Sequence, residues 1–335
     1  MTGSSNNQTR AYLMRRFETL GIHPRGRLGQ NFLIDLNLLR LLRDSAELDQ
    51  NDVVLEVGTG TGSLTGAMAE LAAEVVTVEV DPIMHEMAKQ ELHDRENVRF
   101  LFADILKNKN TLNPEVLDAV AEELAKGENR RFKLCANLPY AVATPLLSNL
   151  CLTKTPPVSM TVTIQKELAD RIVAKPRTSA YGALGVWMQA IGNPRVVRVM
   201  PPSVFWPRPK VDSAIIQIVD SPQKRSLIPD LKFFNQFVRA LFFHRRKFLR
   251  SVLASAVKGR LSKEQVDEIM ASLSLGDTAR ADALPVRKIV DLAEQVRRHL
   301  PDGALYLLEA EKSGKKNRRD DEGEEELPPE GKAFG

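Results

Sequence analysis

The chain has few of the residues that build disulfide scaffolds, metal centres or membrane spans: 335 residues hold two cysteines, five histidines and two tryptophans. Cys135 and Cys151 lie in apolar surroundings without metal-ligand spacing, which excludes a disulfide framework or zinc site and leaves reduced core residues. No metal is expected. No apolar run approaches the roughly 20 residues needed to span a bilayer, and the opening MTGSSNNQTR lacks the hydrophobic stretch of a secretory signal. A cytoplasmic protein with no membrane partner is expected. What is present is an ordinary globular composition, 43% apolar and 27% charged, long enough for a large core and a smaller second domain. The net charge of +4 conceals an asymmetry: residues 320–335 hold seven acids and one lysine, which leaves +10 on the rest. A basic body suits a polyanionic partner, although a charge of this size also serves solubility.

Strands and helices alternate along the first two thirds. Asp35 can cap a helix bearing Leu36, Leu38, Leu39, Leu41 and Leu42, and Val53–Val57 reads as a buried strand. Strands at 75–79, 98–102, 132–136 and 158–165 come next, with helices at about 64–72, 82–93, 114–126, 145–152 and 166–174 between and after them. Such alternation predicts an α/β fold with a parallel sheet and sites at the strands' carboxyl ends, although the strand order cannot be read. Residues 196–199 and 214–218 look like paired strands around PPSVFWPRPKVDS. From about 228 the pattern is helical: 233–257, 263–273 behind the capping pair Ser262 and Gln265, and 286–300 after Pro285. The expected organisation is a flexible N-terminal segment (1–24), an α/β catalytic domain (25–220), a small all-helical domain (221–303) and a disordered charged tail (304–335).

Three strand ends carry chemistry. Glu56-Val57-Gly58-Thr59-Gly60-Thr61-Gly62 is a glycine-rich turn that lets a ligand approach the backbone ahead of a helix N-terminus. Ser63 stands where the dinucleotide fingerprint has its third glycine, which argues against NAD. Glu79, 21 residues after Gly58, can accept ribose hydroxyls, and Asp104 can accept from an exocyclic amine. Gly58, Glu79 and Asp104 together can line one adenosine-sized cleft; taken singly they could be a tight turn and solvated acids.

The fourth strand ends in Asn137-Leu138-Pro139-Tyr140. Pro139 biases Leu138 toward an extended backbone, so the Leu138 carbonyl can point into the cleft beside the Asn137 side-chain carbonyl. Two adjacent acceptors match the two hydrogens of an exocyclic amine, and Tyr140 offers a face for a base. The N6 nitrogen of adenine is a weak nucleophile because its lone pair is delocalised into the ring. Hydrogen bonds from both its hydrogens favour a pyramidal nitrogen that can attack a sulfonium methyl group, with the help greatest in the transition state. No general base of low pKa is needed, because the proton becomes acidic only after transfer. A bare Asn-x-Pro-Tyr could equally be a turn.

With these motifs in place, the chain resembles the KsgA/RsmA family, the adenine N6-dimethyltransferases of small-subunit (16S) ribosomal RNA. The resemblance spans about residues 28–300 and rests on LGQNFLID (28–35), LEVGTGTGSLT (55–65), VEVDP (78–82), ANLPY (136–140), QKELADRIVAKP (165–176), YGALGV (181–186), PPSVFWPRPKVDSA (201–214) and FFHRRKFLRSVL (242–253). It implies a Rossmann-like class I methyltransferase sheet with a small C-terminal all-helical domain, S-adenosyl-L-methionine as cofactor, and a monomer acting on small-subunit rRNA in the immature 30S subunit. It implies cofactor contacts from Gln30, Asn31, Leu33, Gly58, Gly60, Glu79, Asp104, Ile105 and Asn137. Asn137, Leu138, Pro139, Tyr140 and Phe205 are implied as catalytic, with Tyr140 and Phe205 stacking on a flipped adenine. From the residues alone, Phe205 could equally be a core plug.

Arg245, Arg246, Lys247 and Arg250 are expected on a helix as phosphate contacts, with Arg25, Arg27, Arg208 and Lys210 as lesser candidates, although a solvated helix face would look the same. Departures from the family pattern are Thr59 in place of the usual proline, Ala141-Val142-Ala143 after Tyr140, and the bulky Trp206. Two rivals stand: an erythromycin-resistance type methylase of large-subunit RNA, and a non-catalytic RNA-binding assembly factor of the same fold.

Overall fold

The computed structural model describes residues 10–19 and 21–300, without the side chains of Arg10 and Arg27. Residues 1–9 and the expected tail 304–335 lie outside the described residues. The described residues divide into two compact units, 10–231 with 284–287, and 232–283 with 288–300.

In the first unit the elements run α1 (Arg10–Thr19), β1 (Phe32–Leu33), α2 (Leu36–Ser45), β2 (Asp52–Val57), α3 (Ser63–Ala69), β3 (Glu74–Glu79), α4 (Pro82–Glu91) and β4 (Val98–Phe102). A small hairpin, β5 (Leu106–Asn108) with β6 (Thr111–Leu112), precedes α5 (Pro114–Leu124), β7 (Arg131–Asn137), α6 (Tyr140–Leu150), β8 (Ser159–Gln165) and α7 (Lys166–Ile172). Then come α8 (Ala183–Ile191), β9 (Gly192–Met200), β10 (Phe205–Trp206), β11 (Ser213–Asp220) and the short α9 (Pro222–Arg225). Seven strands form one sheet in the order β4-β3-β2-β7-β8-β11-β9. The pairs from β4 to β8 are parallel, whereas β11 runs antiparallel to both β8 and β9.

This order positions the site. Chain order runs outward from β2 to β4 on one side and from β7 to β8 on the other, so the direction reverses between β2 and β7. In an open parallel sheet a ligand cleft forms at such a reversal, outside the carboxyl ends of the strands. All six residues of β2 are buried, as a central parallel strand requires. The opposite, amino ends of β2 and β7 are pinned by Asp52, which is fully buried and pairs with Lys133 at 3.0 Å and Arg131 at 2.9 Å.

Local signals explain most element starts. Asp35 accepts from the N–H groups of Asn37 and Leu38 at the head of α2, and Asp81 from Ile83 at the head of α4. Other elements depart from expectation. Residues 10–19, expected within a flexible segment, form α1 because Leu13 and Phe17, one turn apart, are buried in a cluster with Phe32, Met84 and Met87. Helix α6 begins at Tyr140, not near Pro145. Pro145 costs it only the bond its N–H would make to Ala141, while Pro139 sets the entry. Helix α8 was not anticipated from YGALGV.

The expected boundary at 220 falls inside the first unit, because the segment after β11 is tied back to it. The Lys224 ammonium donates to the carbonyls of Gln189 and Gly192, and the Arg225 guanidinium to that of Cys151. Leu284 returns to this unit through the Tyr181 hydroxyl, which donates to its carbonyl at 2.9 Å.

The second unit is helical, with α10 (Leu231–Phe243), α11 (Leu249–Ala256), α12 (Lys263–Ser272) and α13 (Val286–His299). Both halves of the Ser262/Gln265 capping box are formed. The expected continuous helix 233–257 is broken at 244–248, where the Lys247 N–H bonds the His244 carbonyl and the Leu249 N–H leaves the helical ladder for the Ala279 carbonyl. Among the described residues no helix is long and apolar enough to cross a membrane.

Candidate active site

At the reversal between β2 and β7 a cleft of about 740 Å³, its solvent-open side included, is lined by the ends of β2, β3, β4 and β7 and by residues 28–32. Of the expected site residues, Gln30, Asn31, Gly58, Gly60, Glu79, Asp104, Ile105, Asn137, Leu138, Pro139 and Tyr140 all line it.

The glycine turn provides room. Gly58 and Gly60 have φ of 85° and 54°, a left-handed backbone that favours glycine. A Cβ on Gly58 would stand 3.3 Å from Pro139 Cδ, and one on Gly60 would stand 3.1 Å from the Phe32 ring. Beneath the turn, buried Glu56 accepts from the Thr65 and Thr77 hydroxyls. Thr77 spends its proton on Glu56, so Thr59, 2.6 Å away, donates to Thr77. Thr59 therefore completes a buried hydroxyl chain that a proline could not join. Burial pushes the Glu56 carboxyl up to about 8, against the lowering effect of the two hydroxyls.

Glu79 is more committed than its sequence position suggests. One carboxylate oxygen accepts from the N–H groups of Val80 and Asp81, and the other from Gly60, each at 2.9 Å. A carboxylate offers about four acceptor positions, so the fit for ribose narrows to one open position on the oxygen shared with Gly60. Burial holds this carboxyl above its usual range, opposed by those N–H donors. Asp104 is exposed and spends one oxygen on the Leu106 N–H, which keeps the other open. Val80 and Ile105 line the same end and supply apolar surface for a flat base. Two acids on adjacent strand ends, apolar flanks and a glycine turn fit an adenosyl group, which is the fit that S-adenosylmethionine requires.

The end of β7 is built differently. The Asn137 amide N–H₂ donates to the Asn31 carbonyl at 2.9 Å. Reversing the amide would face two acceptors, so this contact assigns the Asn137 side-chain carbonyl to the cleft side. The Leu138 N–H is held by the Thr163 carbonyl of β8 at 3.2 Å, and no described residue donates to the Leu138 carbonyl. Two acceptors to which no described residue donates thus lie at one strand end, on residues that line the cleft. Tyr140 opens α6, and its hydroxyl is 2.7 Å from that of Ser213, a fully buried residue at the start of β11. Burial raises the Tyr140 phenol further above neutrality, so it stays protonated.

Three expected assignments are corrected. Phe205 is 3% exposed and sits in the core cluster with Leu39, Leu42, Met68 and Ile215, because β10 pairs with β1 and turns that ring inward. It is the core plug and offers no face to the cleft. Leu33, its partner across the pair, packs against the same cluster and does not line the cleft. Arg250 is held by both oxygens of Asp267, which spends its fork on joining α11 to α12.

Arg25 is half engaged with Asp81 at 3.5 Å, and the side chain of Arg27 lies outside the described residues. Arg208, Lys210, Arg246 and Lys247 are exposed, and Arg245 is partly buried. Sequence reasoning missed Gly29, Phe32, Val80, Val142 and Ser213. The signal for Ser213 was a lone hydroxyl opening an apolar strand. Val142 and Ala143 now have places: the first lines the cleft and the second is buried in α6. Trp206 packs edge-on against Phe17 at 5.2 Å, so its bulk receives α1.

The model of the family described as Ribosomal RNA adenine dimethylase matches residues 22–297. The ribosomal RNA small subunit methyltransferase A of Geobacillus kaustophilus is 35% identical over 277 residues, 82% of this chain and 92% of that protein. The protein of the same name from Alkaliphilus oremlandii is 38% identical over 275 residues, again 82% and 92%. Among solved structures, a dimethyladenosine transferase from Plasmodium falciparum superposes with a TM-score of 0.65 at 21% identity, covering 79% of this chain and 97% of that one. The 23S rRNA methyltransferase ErmE gives 0.57 at 22% identity, covering 79% and 99%. At these identities the two structures speak to the fold.

Proposed function

The chain belongs to the ribosomal RNA adenine dimethylase family, and on that premise we propose that it dimethylates N6 of two adjacent adenosines in the 3'-terminal hairpin loop of small-subunit rRNA. The immature 30S subunit is the proposed substrate, met in the cytoplasm by a monomer during ribosome assembly. S-adenosylmethionine, when bound, supplies a methyl group made electrophilic by its sulfonium centre.

The chain's own residues do the rest. Gly58 and Gly60 leave room for the cofactor's methionine part, Glu79 takes a ribose hydroxyl at its open position, and Asp104 and Ile105 hold the cofactor adenine. The Asn137 side-chain carbonyl and the Leu138 carbonyl accept the two N6 hydrogens of the target base in the first transfer, and one of them accepts the remaining hydrogen in the second, which favours the pyramidal nitrogen and stabilises charge developing there. Asn31 keeps the Asn137 amide in that orientation through its carbonyl. Tyr140, held at its hydroxyl by Ser213, gives the flipped base a face to rest on. With Phe205 in the core, Tyr140 carries that role without it.

The observation that carries this reading is the pair of open acceptors at Asn137 and Leu138 beside the Tyr140 ring, which an assembly factor without catalysis has no need to keep. The relatives with 35% and 38% identity bear small-subunit names, which favours that substrate over the large-subunit RNA named for ErmE. Incubation of the purified protein with tritiated S-adenosylmethionine and, in parallel, immature small subunits or large-subunit RNA should yield N6,N6-dimethyladenosine on digestion of the small-subunit RNA. Label confined to large-subunit RNA would overturn the assignment.

A further inference from the structure

The break between α10 and α11 leaves an unusual surface in the helical unit. The Lys247 N–H donates to the His244 carbonyl at 2.9 Å, closing a four-residue turn over 244–247. Such a turn brings its first and last Cα atoms within about 7 Å, so the residues before and after it share its base. Those residues are Phe243 and Phe248, which are 57% and 53% exposed and are among the most exposed large apolar side chains of the described residues. His244, Arg246 and Lys247 are exposed on the turn between them, and the His244 ring stands edge-on to Phe243 at 4.8 Å. Neighbouring α10 and α11 bury Phe233, Phe237, Leu241, Leu249, Val252 and Leu253, so the core does not lack room for apolar residues. Single exposed apolar residues are ordinary, but two aromatics flanking a cationic turn are an arrangement.

We infer that Phe243 and Phe248 form a stacking platform for unpaired nucleotides of the RNA, with Arg246 and Lys247 holding the phosphates on either side. The inference rests on the rRNA reading above and adds to it what the basic turn takes: a single-stranded segment, where a bare phosphate-binding turn would accept a duplex equally. Charge complementarity selects a polyanion, and the flat rings select one whose bases are free of pairing, since a paired base has no accessible face. An apolar protein partner would match the phenylalanines and leave the cations without counter-charges, so it is the less favoured occupant.

The test titrates the full chain with a labelled oligonucleotide of about eight adenosines and with an RNA duplex of about 16 base pairs at fixed salt. Replacing both aromatics, Phe243→Leu with Phe248→Leu, keeps apolar bulk and removes the rings. It should weaken oligonucleotide binding about 10-fold or more and leave duplex binding within about twofold. Arg246→Gln with Lys247→Gln should weaken both and lower the salt dependence of oligonucleotide binding by about one to two in slope.

Phe248→Trp should keep the oligonucleotide binding that Phe248→Leu loses, and its emission should be quenched by the oligonucleotide. Equal oligonucleotide affinity in the wild type and the double leucine variant overturns the platform, as does an equal loss on duplex. Methylation of small subunits by the wild type is read separately: its absence sinks the rRNA reading, whereas its presence with unchanged oligonucleotide affinity in the leucine variant sinks the platform alone.

Discussion

The turn after β2 and the turn after β7 end neighbouring parallel strands and lie so close that a side chain on Gly58 would meet Pro139, yet they are made of opposite materials. The first is glycine and threonine. Its left-handed residues carry no side chain, and its contribution is space and backbone, braced from below by the Thr59–Thr77–Glu56 chain. The second has no glycine; it holds the Asn137 amide, the Leu138 N–H and the Tyr140 hydroxyl by hydrogen bonds to Asn31, Thr163 and Ser213. The difference separates two tasks: a bound cofactor needs room along its length, whereas a reacting nitrogen needs two acceptors held still. Substitutions in the second turn should therefore reduce turnover, and substitutions in the first should reduce cofactor affinity.

The sharpest break of that division is Asn137→Ala, which removes one acceptor from the transition state. Turnover should fall about 10²–10³-fold, while calorimetric cofactor affinity and RNA binding change little; full turnover would refute the role. Next is Gly58→Ala, where a left-handed φ strains an alanine by about 1–2 kcal/mol and the new methyl presses on Pro139. S-adenosylmethionine affinity should drop about tenfold, with a smaller loss of kcat than Asn137→Ala gives; the reverse ranking would erase the distinction between the turns.

Smaller still, Tyr140→Phe and Ser213→Ala each delete the same hydrogen bond, near 1 kcal/mol, and should lower kcat about fivefold. The double variant should be no worse than either alone, as in a two-member cycle. The last prediction concerns the brace under the first turn. Folded Glu56 keeps its proton up to about 8, whereas the unfolded chain releases it near 4.5, so the folded state binds the extra proton in between. Raising pH through that window therefore lowers stability, and the loss is complete above it. Glu56→Gln should flatten the dependence of Tm on pH from 5 to 9 with activity at pH 7 nearly unchanged.

Much of the α/β sheet was readable in advance because its strands are continuous apolar runs ending in glycines or acids, a local property. So were the caps at Asp35 and Ser262, whose partners lie within three residues. Legibility failed where partners are distant. Phe205 stands in a motif beside Trp206 and Pro207 and invites a stacking role, but its direction depends on pairing with Leu33, more than 170 positions earlier. Arg250 lies in a basic run, yet Asp267 on another helix spends its charge. The break at 244–248 was hidden because Arg245, Arg246 and Lys247 are good helix formers and the Ala279 carbonyl that captures the Leu249 N–H is remote in sequence.

The sequence by itself determined which chemical groups are available: a glycine turn, two acids at strand ends, and an amide, proline and tyrosine in a row, each placed by hydrophobic period and local backbone restriction. Tertiary structure alone decided which of those groups are free to act. The strand order set β2 beside β7 and brought the two turns together. Distant hydrogen bonds oriented the Asn137 amide, added the Gly60 N–H to the two local donors on Glu79 and anchored Tyr140 to Ser213. The physical reason is that a polar group's function depends on its unspent hydrogen-bonding capacity, and that capacity is settled by neighbours the chain meets only after folding.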